Sequence, residues 1–180
     1  MLNIVVPPAS GWDEDKEEFV PIGKPFNLQL EHSLVSISKW EAKWHKPYLS
    51  SKDKTNEEVI DYIRCMTITQ NVPPSVYANL TKENIQEIGE YINNPMTATT
   101  VKNYNKKRSS EQITSELIYY WMTALNIPFE CQKWHLNRLL TFVEVCSVKN
   151  QPPKKMDKKT AARHNAALNA ARRQKAKSSG

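Results

Sequence analysis

The stretch CQKWHLNRLLTFVEVC, residues 131–146, carries two cysteines, a histidine and a tryptophan in one short run. Read as a continuous helix, it puts Cys131 and His135 on one face, four residues apart. Such a pair could supply two zinc ligands, but zinc needs four, or three and an open position. On a straight helix Cys146 would lie about 22 Å further along, too far to join them or to bridge Cys131. The remaining candidates, Cys65, His32 and His45, are scattered, and no C-x-x-C occurs. A nucleophilic Cys131 with His135 as base would also need an oxyanion donor that the pattern does not offer. Leu136, Leu139, Leu140, Phe142, Val143, Val145 and Cys146 cover most of the helix circumference. The preferred reading is therefore a central core helix, with no metal and no cofactor.

Working outward, this helix is expected over residues 129–150. A second, over 109–126, is expected to begin at Ser109 or Ser110 and to bury Ile113, Leu117, Tyr120, Trp121 and Ala124. The short turn Asn126-Ile-Pro128 between them implies antiparallel neighbours. Upstream, residues 33–44 place Leu34, Ile37, Trp40 and Trp44 at helical spacing, and Pro47 stops that helix. Thr55 with Glu58 forms a capping box ahead of Val59, Tyr62, Ile63 and Met66. Thr81 caps a helix with Asn84 at its third position and a line of Ile85, Ile88 and Ile92. Residues 96–108 read as a polar connection. Three strands precede the helices: 2–6, 17–22 and 26–30, with PPASGWDEDK separating the first two.

The expected fold is mainly α within the α+β class. A small N-terminal antiparallel β ribbon (1–31) packs on a compact bundle of about five helices (32–150), followed by a basic helical or disordered tail (151–180). The chain has 180 residues, of which 39% are hydrophobic and 24% charged, enough for a real core. Only four glycines leave little material for a phosphate-cradling loop. No run approaches the ~20 apolar residues of a membrane span. The N-terminal MLNIVVPPASGWDED does not follow the secretory pattern, so the expectation is reduced thiols in a cytosol.

The formal charge of +6 hides an asymmetry. Residues 154–177 hold nine Lys/Arg and one acid, a net +8, and the rest sums to −2. The tail can form a helix but has almost nothing apolar to bury, so it fits an acidic partner, nucleic acid or protein, or a solvated extension. WEAKW (40–44) reads first as a core ridge and second as an aromatic platform. YYWM (119–122) fits either the core or an oligomer interface. No carboxylate pair, H-E-x-x-H or phosphate loop signals catalysis, so the chain is read as no enzyme.

Four stretches read together: LEHSLVSISKWEAKWHKPYL, NEEVIDYIRCMT, SELIYYWMTALNIPFECQKWHLNRLLTFVEVC and RHNAALNAARRQKAK. They resemble small proteins encoded in the structural gene cluster of tailed bacteriophages with long flexible tails, and among those the tail assembly chaperones. The likeness runs from about residue 26 to the end and carries no catalytic signature or alignable functional motif. It implies a protein of the host cytoplasm that binds the tape-measure protein and recruits tail-tube subunits, often made in a short and a frameshift-extended form. Candidate anchors for such a client are Trp40, Trp44, Tyr119 and Trp121. Candidate contacts for an acidic partner are Lys154, Lys155, Lys158, Lys159, Arg163, Arg172, Arg173 and Lys175. The alternative is a virion component, such as a connector or neck protein, or a nucleic-acid-binding protein using the same tail.

Overall fold

The computed structural model describes residues 1–100, 111–150 and 158–177. The fold is α+β. Strand β1 (Leu2–Val6) pairs antiparallel with β4 (Phe26–Leu30), Ile4 standing opposite Leu28 and Val6 opposite Phe26. Alternation does the sorting: Ile4, Val6, Leu28 and Leu30 are buried, while Asn3, Val5, Asn27 and Gln29 face away. The segment after helix α2 lies along the other edge of β4, where Ile68 N–H donates to Gln29 O (2.8 Å) and Glu31 N–H to Met66 O (2.9 Å).

Between β1 and β4 the chain makes a second hairpin, β2 (Ala9–Asp13) with β3 (Glu18–Ile22). This corrects the expected separator at 7–16. Ala, Ser, Gly and Asp are weak strand formers, and pairing with β3 supplies what propensity does not.

Helix α1 (Leu34–Trp44) is the centre of the body and packs against both α2 (Asn56–Met66) and α5 (Ser115–Ala124). Ser33 and Ser36 form its capping box, and His45 closes it in the left-handed region at φ 53°. Thr55–Glu58 and Thr81–Asn84 cap α2 and α4 (Lys82–Asn93) as read from the sequence. A short α3 (Pro74–Ala78) begins with Pro at its first position, where the missing N–H costs nothing. Of the expected α4 line only Ile88 is fully buried, with Asn84 and Tyr91 beside it; Ile85 and Ile92 are half-buried.

Three expectations for the last helices fail. Residues 129–150 are not one helix: a 3-10 turn, Phe129–Lys133, ends at Trp134, and α6 (Leu136–Asn150) starts afresh. Between them His135 is extended and bridges Ser33, and Leu136 N–H donates to His32 O at 2.7 Å. That break abolishes the shared helical face of Cys131 and His135. Nor is α6 a core spine: only Leu136, Leu139 and Val143 are fully buried. Helix α5 starts at Ser115 with Thr114 as cap, and the expected caps Ser109 and Ser110 lie outside the described residues.

The chain divides into two compact units, Met1–Lys149 and Asn150–Gly180. In the second, α7 (Lys158–Lys177) is a 20-residue helix whose described side chains are exposed except for half-buried Ala161. Among the described residues no helix is long and apolar enough to cross a membrane.

Candidate functional site

Helix α5 is apolar almost all the way round, so its sequence fits several phases. The core selects Ser115, Ile118 and Met122, three and four residues apart. The expected stripe of Ile113, Leu117, Tyr120, Trp121 and Ala124 is thereby turned away from the core centre: Tyr120 is 66% exposed and Ile113, Leu117 and Trp121 are half-buried. This is a correction of phase with a functional consequence. Trp121, Ala124 and Leu125 face Leu140, Val143 and Glu144 of α6 across an open groove of about 520 Å³. Thr141 and Ser147 are the uncharged polar groups on its wall. Phe129, 55% exposed, stacks on Tyr119 nearby with centroids 6.3 Å apart. The one acid on the groove wall is Glu144 of α6.

The four aromatic candidates are thus split. Trp40 is fully buried, its indole N–H donating to Glu58 O at 2.9 Å and its ring edge-on to Tyr48. It is a core residue. Trp44 is half-buried and donates to Asp61 Oδ2 at 2.9 Å. Tyr119 is half-buried, with its hydroxyl donating to Gln132 Oε1 at 2.9 Å. Trp121 alone lines the groove. Leu140 and Val143 were read from the sequence as core residues of the last helix and Leu125 was not singled out; the signal available was the second helical phase of α5. On α7, Lys159, Arg163, Arg172, Arg173 and Lys175 are exposed, whereas Lys154 and Lys155 lie outside the described residues, as does the side chain of Lys158.

A polar cluster lies inside the body. His32 Nδ1 and Tyr62 Oη are hydrogen-bonded at 2.5 Å, Tyr62 stacks on Tyr48 at 3.9 Å, and the His32 and His135 rings sit 5.1 Å apart. His135 Nδ1 accepts from Asn137 N–H, so its Nε2–H donates to Tyr91 O at 3.0 Å. Burial, with His135 alongside, pushes the His32 pKa down to about 3, and burial lowers that of His135. Burial raises the Tyr48 and Tyr62 hydroxyls above their ordinary range. At neutral pH all four are uncharged and enclosed, which suits them to fixing elements rather than to moving protons. Burial, followed by a neighbouring acid (Asp61 and Glu130 respectively), also pushes the Cys65 and Cys131 thiols up, away from the reactive thiolate. Among the described residues no three His, Cys, Asp or Glu side chains converge on a metal-binding position.

Glu41 is the organising acid of the body. One carboxylate oxygen accepts from Tyr48 N–H and the other from Ser115 N–H, both at 2.7 Å. It therefore ties the turn after α1 to the N-terminus of α5, where a negative charge complements the helix dipole. The anchor that sets the phase of α5, and with it the groove, is in this sense a residue of α1.

Compared with known proteins, the chain matches no family model, no curated protein and no solved structure.

Proposed function

We propose that the chain is a non-enzymatic assembly chaperone of long bacteriophage tails, which holds an apolar helical segment of the tape-measure protein in the α5–α6 groove. The observation that carries this reading is the groove itself, where half-buried Trp121, Leu125 and Leu140 line an open cleft floored by Val143. Covering the exposed part of a half-buried side chain is worth about 1 kcal/mol, and a helix with anchors at three- and four-residue spacing would gather several such terms here. Enclosed, neutral histidines and unactivated thiols support a binding role over catalysis. The sequence resemblance to tail assembly chaperones supplies the client, and with it tail-tube subunits as later partners and the host cytoplasm as the place of action.

The test is co-expression with the tape-measure protein of the same phage. The chaperone reading expects soluble co-purification, lost in Trp121→Asp and Leu140→Asp variants, and no stoichiometric copies in purified particles. Many copies per virion would sink it. The second reading, a virion or nucleic-acid-binding protein, draws on α7, which carries seven Lys/Arg and no acid over Lys158–Lys177. It expects tight DNA binding that falls steeply with salt and disappears when residues 154–180 are removed. The chaperone reading expects negligible DNA binding at physiological salt.

A further inference from the structure

The β2–β3 hairpin is an arm with an uncovered aromatic face. Trp12 and Phe19 stand opposite each other in the register, packed edge to face at 5.2 Å, yet are 56% and 72% exposed. On the other face Ile22, itself 63% exposed, lies so tightly over Gly11 that a Cβ there would meet its Cδ1 at 2.2 Å. A lone two-stranded ribbon is marginal in water, and an exposed aromatic pair on one marks a contact surface. At its tip, residues 13–18 hold five acids and one lysine. Lys16 pairs with Asp13 at 3.7 Å, while Glu14, Asp15, Glu17 and Glu18 form no ion pair among the described residues.

The complementary surface lies on the same body. Where α1, the end of α2 and the 3-10 turn meet, a groove of about 420 Å³ is floored by Val35, Met66 and Ile68 and flanked by Lys39 and Lys133. Ile68 is 49% exposed, and neither lysine has an ion pair among the described residues. The acid that lines this groove, Glu31, is already engaged by the Met1 ammonium at 2.9 Å and the Tyr91 hydroxyl at 2.6 Å. The arm is rooted at Val6 and Phe26, and the groove begins at Glu31, beyond the far end of β4. At about 3.4 Å per residue those ends are roughly 14 Å apart, so arm and groove sit at opposite ends of the ribbon.

We propose that the chain self-associates head to tail, the Trp12–Phe19 face of one copy filling the Val35–Met66–Ile68 groove of the next while its acidic tip meets Lys39 and Lys133. The contact is heterologous, so it builds rings or open chains rather than a two-fold dimer.

Sedimentation velocity of the full chain from about 5 to 500 µM tests this, with circular dichroism confirming the fold of each variant. Trp12→Ala/Phe19→Ala and Lys39→Glu/Lys133→Glu change exposed residues only. Wild type is expected to associate with concentration, more strongly at low salt, and each double variant to weaken association at least about tenfold. Mixed, the two variants keep one intact arm and one intact groove between them and are expected to form a 1:1 complex. A wild type that stays monomeric, association that survives either variant, or a mixture that stays monomeric would each overturn the proposal. A different protein as the arm's true partner would appear as the first of these.

Discussion

Lowering the pH from about 7.5 to 5 should destabilise the body through the buried histidines. In the unfolded chain His32 takes up a proton near pH 6.5. In the folded chain it does not do so until about pH 3, because burial and His135 oppose the charge. The unfolded state therefore binds more protons throughout that window, and stability falls as the pH falls. The difference integrates to about 2 kcal/mol for His32 alone between pH 7.5 and 5, approaching about 1.4 kcal/mol per further pH unit. His135, lowered by burial, adds in the same direction. The carboxylates do not confuse the measurement. The hydrogen bond from Lys46 holds Glu58 below its ordinary range; in Asp61 burial acts upward, but the bonds from Lys43 and Trp44 outweigh it. Their contribution is present above about pH 5 and is lost progressively below it. Urea unfolding followed by tryptophan fluorescence reads the change as a midpoint shift of about 1 M. His32→Asn, which keeps an acceptor for Tyr62 but cannot titrate, should be less stable at pH 7.5 and lose most of the His32 share of the slope. A stability that is flat or rises between pH 7.5 and 5, or an unchanged slope in His32→Asn, would refute the reasoning.

Glu41→Ala leaves two backbone N–H groups without their acceptor. The 290 Å³ cleft beside it lets water reach them, so the expected cost is about 3 kcal/mol, seen as a fall in Tm of roughly 6–12 °C. Glu41→Gln retains one acceptor and should cost less. Trp121→Ala should change Tm little, since the side chain is half-exposed, but weaken capture of a helical client at least about 30-fold by titration calorimetry. Thr55→Ala and Thr81→Ala each remove a cap oxygen and should each cost about 1 kcal/mol in chemical denaturation.

What was legible in the sequence was local. The capping boxes at Thr55 and Thr81 act within three residues, and both form where the sequence puts them. Alternation in FNLQL buries Leu28 and Leu30 as a half-buried strand should. What was not legible depends on distant partners. Residues 134–135 contain no glycine or proline, and α6 is separated from the 3-10 turn because Ser33 and His32 O claim the backbone there. Strand β2 exists because β3 pairs with it, against the propensities of Ala9, Ser10 and Gly11. The phase of α5 was ambiguous in principle: Ile118 and Met122 make as good a stripe as Leu117 and Trp121. Ser115, which donates to Glu41 from across the body, settles which one turns inward. The site followed that phase. Trp121 was legible as a candidate, whereas its companions on α6 read as core alone.

The β2–β3 hairpin is nested inside the β1–β4 hairpin, joined to it at Val6 and Phe26. Nesting separates two kinds of inheritance. Every pairing between β1 and β4 survives if residues 7–25 are lengthened, trimmed or exchanged, because the outer strands meet in the same register whatever they enclose. The arm can then be rewritten in length and sequence while the core beneath it stands still.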